Sequence, residues 1–208
     1  MSQQAEALMQ QISSHFESQV PDKTVRLILE HSLELFAHKG LHGTRISDIA
    51  AHAGFSQGFV YNYFKTKEDI FAKIVEVAVD GAEHTVRAAA EMDGTPRQRM
   101  GWLTEAMLSP DSMAMQHWRF ISLQATMSEA CPEQARHMAA EGSRRTLGAL
   151  LPIIAEGQQA GEFSAGDPVM LGITFFAFVQ GLGIMRSGSS VELPFPSVDL
   201  ILSFLTRE

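Results

Sequence analysis

One cysteine, Cys131, is all the thiol chemistry that the 208 residues contain. A single thiol closes no disulfide and builds no cysteine metal cluster, which excludes a disulfide-stapled scaffold and points to a reducing compartment. The opening stretch "MSQQAEALMQQ" has no Lys or Arg and no apolar core of signal-peptide length, so a cytoplasmic protein is expected. Period-two runs of β-branched residues are nearly missing, which argues against a sheet. Nucleophile elbows, phosphate loops and paired catalytic carboxylates are missing too, so an enzyme is not expected. The eight histidines are scattered without a metal-like pair on one helix face; no metal and no cofactor is expected.

Long uncharged runs are also scarce. The one present, Pro168 to Met185, has eighteen residues, the lower edge of a membrane-spanning helix. Three glycines and Gln180 weaken it, and basic residues do not bracket both ends, so a buried helix of a soluble protein is the favoured reading. A helix apolar all round must be covered on every side, and a partner subunit is one way to cover a face.

What is present is helical spacing. The 45% hydrophobic and 19% charged content suits a globular chain, either one large domain or a small one beside a larger one. Ala5, Leu8, Ile12, Phe16 and Val20 form a short amphipathic helix that stops at Pro21. Val25, Ile28, Leu29, Leu33 and Phe36 form a second, ended by Lys39 and Gly40. Ile46, Ile49, Ala50 and Ala53 mark a third of about two turns, closed by Gly54. Ser56 then caps another helix, with Phe55 and Val60 placed as a hydrophobic staple. Lys67 opens a longer helix to about Ala90, and further boundaries are expected near Pro96, Pro110, Pro132, Gly161 and Pro168. Pro152 predicts a kink or break, and a last helix is expected over roughly Ser197 to Thr206.

Within this plan "FSQGFVYNYFKTK", Phe55 to Lys67, is aromatic, cationic and free of acid in a chain of net charge −8. Residues 22–67 carry net +2 and the remainder −10. Two short helices joined by a glycine turn and laid across a preceding helix are the plan of a helix-turn-helix reader, whose second helix enters the DNA major groove. With Val60 and Phe64 inward, Gln57, Gly58, Tyr61 and Asn62 point outward, offering amide, bare backbone and hydroxyl to base edges and phosphates. Residues 1 to 20 hold Glu6 and Glu17 but no Lys or Arg, so that extension is expected to pack on protein rather than on a phosphate backbone.

The segments "LF..KG..GT" at Leu35 to Thr44, "IA..AG" at Ile49 to Gly54 and "YNYFKTK" at Tyr61 to Lys67 together resemble the DNA-binding domain of the tetracycline-repressor (TetR) family of bacterial transcriptional regulators. The resemblance spans about 45 residues; beyond them it extends only to size, helicity and the phrase "EGQQAGEF" at Glu156 to Phe163. It implies an all-α homodimer, each subunit with an N-terminal helix-turn-helix DNA-binding domain and a larger helical ligand-binding and dimerisation domain. The division expected is 1–20 as a helical extension, 21–66 as the reader and 67–208 as the larger domain. Carried over by position, Thr44, Arg45 and Ser47 match phosphate-contacting residues, Gln57, Gly58 and Phe59 match base-facing ones, and Tyr61, Asn62, Tyr63 and Lys67 match backbone-facing ones. Phe59 departs from the family pattern, where a small or polar residue is commoner; it meets a thymine methyl or folds back on the protein.

The expected function is a ligand-responsive regulator, a repressor that binds a palindromic double-stranded operator as a homodimer and leaves it when a small molecule binds. The alternative is a helical interaction module or an enzyme on the same fold without a DNA role. Trp102, Met107, Met115, Trp118, Phe120 and Met127 are candidates to line an adaptable pocket for a lipophilic or aromatic effector, although residues of these types at helical spacing are more often plain core. Ala177 and Gly181, small and four apart, are candidates for a close helix approach between subunits.

Overall fold

In the computed structural model, which describes residues 1–109, 131–188 and 195–206, Ser2 accepts a hydrogen bond from the Ala5 N–H and starts α1 (Gln3–Gln19). The helix ends at Val20, ahead of Pro21. Asp22 accepts from the Thr24 and Val25 N–H groups and caps α2 (Lys23–Gly43), which is interrupted at Gly40. There φ is 70°, a left-handed geometry that costs a glycine little and other residues more. α3 (Ile46–His52), α4 (Gln57–Tyr61), α5 (Lys67–Glu91) and α6 (Pro96–Leu108) follow. Thr66 and Asp69 form a reciprocal capping box at the start of α5, and Thr95 and Gln98 do the same for α6.

Beyond these lie α7 (Glu133–Gln159), α8 (Pro168–Gly188) and α9 (Val198–Leu202). Of the kink or break expected at Pro152, the break does not occur: α7 runs on through it. Proline removes one backbone donor, but Leu150, Ile153 and Ile154 are fully buried on either side, so tertiary packing holds both halves in one helix. The last helix is shorter than expected, ending at Leu202, after which Thr206 makes one antiparallel bridge to Phe163. Among the described residues the protein is all-α, without a sheet.

Among the described residues two hydrophobic cores form. One gathers α2, α3, α4 and the front of α5 around Phe36, Ile49, Val60 and Phe71, with Ala135 of α7 against it. The other gathers the rear of α5 with α6 to α9 around Met100, Leu103, Leu150 and Phe175. They meet along α5, whose residues up to Val79 serve the first core and from Ala82 the second. The division expected after residue 66 therefore falls where a shared helix begins. α1 sits on both: Leu8 and Ile12 enter the second core and Val20 the first, while Ser2 donates from its N–H (2.9 Å) and its hydroxyl (2.7 Å) to Glu105 of α6. The N-terminal extension thus packs on its own chain.

Candidate nucleic-acid interface

α4 is a single turn that cannot persist alone, so its position is imposed from outside. Gly54, at φ 75°, turns the chain out of α3. Ser56 Oγ accepts the Phe59 N–H at 3.2 Å, Val60 is fully buried in the first core, and Lys65 Nζ donates to the Tyr61 carbonyl at 2.9 Å. Fixed at start, middle and end, the turn leaves Gln57, Gly58, Phe59, Tyr61 and Asn62 exposed. A Cβ at Gly58 would touch nothing within 4 Å, so the backbone there stands open to an approaching surface. Phe59 lies between Phe55 and Tyr63, with ring centroids at 4.9 and 5.5 Å, and still keeps 37% of its surface accessible. It therefore rests on its neighbours and reaches solvent at once.

Three of the phosphate-facing candidates have different environments. Arg45 and Ser47, at the start of α3, are exposed, and the Arg45 N–H donates to Asp48 at 3.1 Å, which orients the turn. Thr44 is fully buried: its hydroxyl donates to the Gly40 carbonyl at 2.8 Å and the Leu35 carbonyl at 3.4 Å. That side chain ties the end of α2, with its hydroxyl turned to the chain's own carbonyls. Lys67 is likewise turned inward, donating to the carbonyls of Leu41 (2.7 Å), His42 (3.2 Å) and Thr44 (3.0 Å). An ammonium has three donors, and all three are engaged. Lys67 pins the α2–α3 corner rather than lying free as a phosphate contact, because the corner's carbonyls have left the helical ladder and need donors.

Only two of the effector candidates, Trp102 and Met107, fall among the described residues. Met115, Trp118, Phe120 and Met127 lie outside the described residues. Trp102 is half-buried over Gly94, and Met107 is buried in the second core. Five residues apart on α6, the two are rotated about 140° from one another and share no face. A groove of about 490 Å³ opens instead between α5 and α7, with Glu76, Asp80, Glu141, His137, Met138 and Arg145 on its walls. Arg145 reaches Glu83 at 3.2 Å and Asp80 at 3.7 Å, leaving carboxylates in excess.

α8 has length and composition enough to cross a membrane. Within this chain Phe175 and Val179 are buried, while Met170, Ile173, Phe178 and Met185 are each about half exposed. Ala177 and Gly181 lie on that exposed side, and a Cβ at Gly181 would meet nothing within 4 Å. The chain covers one face of α8 and leaves the opposite one apolar.

One group of residues escaped the sequence reading altogether. His31 and Glu34, one turn apart on α2, stand against His52 at the end of α3. The spacing of His31 and Glu34 was visible in the sequence; the third member is 21 residues away and is supplied only by the packing of two helices.

Comparison with known proteins gives a match of residues 28–74 to the model of bacterial regulatory proteins of the tetR family. The uncharacterized HTH-type transcriptional regulator YfiR of Bacillus subtilis is 36% identical over 70 residues, 34% of each chain. The match thus spans about a third of that relative's length. The fatty acid metabolism regulator protein of the same organism is 27% identical over 144 residues, 69% of this chain and 73% of that one. A transcriptional regulator structure from Saccharomonospora viridis, in complex with choline, superposes with a TM-score of 0.66 at 26% identity, covering 86% of this chain and 91% of that one.

Proposed function

The chain belongs to the tetR family of bacterial regulatory proteins, and from that premise we propose that it is a repressor acting as a homodimer on a palindromic operator and released by a small lipophilic effector. The observation that carries the DNA role is the single turn of α4. Its capped start and buried Val60 hold Gln57, Gly58, Tyr61 and Asn62 outward, beside the exposed Arg45 and Ser47. Amides and an open backbone suit base edges, and the guanidinium and hydroxyls suit phosphates. An acidic chain reaches DNA this way because its positive balance is confined to residues 22–67.

The dimer follows from the uncovered apolar side of α8, where Ala177 and Gly181 let two helices approach closely. Two readers then address half-sites about 34 to 36 Å apart or a multiple of it, and an effector that prefers another separation lowers operator affinity. The work is done where the DNA is, in the cytoplasm. A lipophilic effector is supported by the methionine and aromatic content of the larger domain and by the relative named for fatty acid metabolism. A second reading, a cationic effector, is favoured by the carboxylates of the α5–α7 groove and by the relative that holds choline.

Selection of bound sequences from random DNA by the full chain tests the first part: an enriched palindrome supports it, and recovery without sequence preference sinks it. Titration with fatty acids, hydrophobic drugs and quaternary ammonium compounds, following tryptophan fluorescence and operator release together, separates the two effector readings.

A further inference from the structure

We propose that His31, Glu34 and His52 form a transition-metal site that clamps α2 to α3, with a cation of the zinc type as ligand. His31 Nδ1 and His52 Nδ1 are 3.1 Å apart, and each is 3.6 Å from Glu34 Oε2. The nearest point equidistant from three atoms so arranged lies in their plane, and an ion about 0.7 Å out of that plane, as tetrahedral geometry requires, is about 2.1 Å from each, matching zinc–nitrogen bonds of about 2.0–2.1 Å and zinc–carboxylate bonds of about 2.0–2.2 Å. Two ligands at tetrahedral angles on zinc are about 3.3 Å apart, so all three separations sit within about 0.3 Å of what a bound ion would set.

The donor set also fits. Two imidazoles and one carboxylate are a combination used for zinc, and a solvent-facing fourth position remains for water. His31 is half-buried while Glu34 and His52 are exposed, so an ion has a path in and the side chains can adjust.

The consequence is mechanical. α2 and α3 are joined in chain only through the corner around Thr44, and α3 carries Arg45 and Ser47 at its start. An ion bonded to both helices at the far end of α3 fixes the angle between them from the side opposite that corner. Metal occupancy thereby stiffens the reading unit independently of any effector in the larger domain.

Titration calorimetry of untagged, chelator-treated full-length protein with ZnCl₂ tests the site, with Co²⁺ absorption as a geometric readout. The result expected is one ion per chain, the visible bands of four-coordinate Co²⁺, and a rise in Tm. His31→Gln and His52→Gln should each weaken binding more than about a hundredfold, exceeding the roughly 10–100-fold effect of an outer-sphere change. His38→Gln with His42→Gln should leave it unchanged. Histidine NMR on the unmodified chain keeps the test independent of how the variants fold: the His31 and His52 ring signals should move on zinc addition. Binding weaker than about 1 mM, or zinc held equally well by the His31→Gln/His52→Gln double variant, would overturn the proposal and leave a plain hydrogen-bonded pair. Shifts confined to other histidines would do the same.

Discussion

Lys67 Nζ donates to the carbonyl of Leu41 across 2.7 Å, joining the first residue of α5 to the residue that follows the Gly40 break in α2. The same ammonium holds His42 and Thr44, so one side chain sets the geometry of the corner from which α3 departs. Lys67→Ala should then lower stability by about 1.5–3 kcal/mol, in the range of hydrogen bonds to a charged group. The slope of log affinity against log salt should stay as it was. Arg45→Ala should do the reverse, leaving Tm unchanged and flattening the slope by about one unit, the loss of a single phosphate contact. Thermal unfolding and binding at several salt concentrations decide between them. A flattened slope with unchanged Tm for Lys67→Ala would return that residue to the DNA.

Gln57 stands at the first position of α4 with its side chain in solvent. If it reads a base, Gln57→Ala costs about 1–3 kcal/mol on the operator and relaxes preference at one position of each half-site. Competition binding on operator and random DNA measures this. Equal loss on both would remove Gln57 from base reading.

Gly181 on the open side of α8 has room for a side chain in the single subunit but none in a close helix pair. Gly181→Arg should give folded monomers by sedimentation and lose operator binding with them. An intact dimer would place the interface elsewhere.

Two glycines of α7 should respond in opposite directions to alanine. A Cβ at Gly142 would lie inside the side chain of Val79 on α5, so Gly142→Ala should destabilise by about 1–3 kcal/mol through overpacking. Gly148 is exposed with nothing near, and Gly148→Ala should stabilise by up to about 1 kcal/mol through helix propensity. Denaturant unfolding reads both signs. Destabilisation by both would mean that α7 tolerates no added side chain for a reason other than Val79.

His84 of α5 stacks on His15 of α1, with ring centroids 3.8 Å apart. Burial, and then the neighbouring His15, hold its pKa below the ordinary 6.5, against smaller opposing effects of Glu91 and Asp80. A lowered folded pKa means that the unfolded chain takes up the proton first. Stability is therefore retained above about pH 6.5 and falls as pH drops through the window below it. Tm measured from neutral to mildly acid pH should decline less steeply for His84→Gln than for the wild type; parallel curves would show that the stacked pair does not couple to folding.

Much of the reader was legible in advance because its determinants are local. Ser56, Gly54, Val60 and the Gly40 stop act on chain neighbours within four residues, and their meaning survives without knowledge of the rest. The inward hydrogen bonds of Thr44 and Lys67 were not legible, for the opposite reason. A threonine or a lysine beside a DNA-reading helix looks like a phosphate ligand until the carbonyls of a broken helix end are found within reach, and for Lys67 those lie more than twenty residues away.

The order of helices, their caps, the outward residues of α4 and the positive balance of residues 22–67 were determined by the sequence alone, through periodicity and backbone preference. The tertiary structure decided what depends on distance between separate helices. It carried α7 intact through Pro152, since burial on both sides outweighs one missing donor. It left one side of α8 uncovered and brought His52 to His31 and Glu34. Packing energy belongs to pairs of surfaces, and a one-dimensional pattern names the surfaces without naming the pairs.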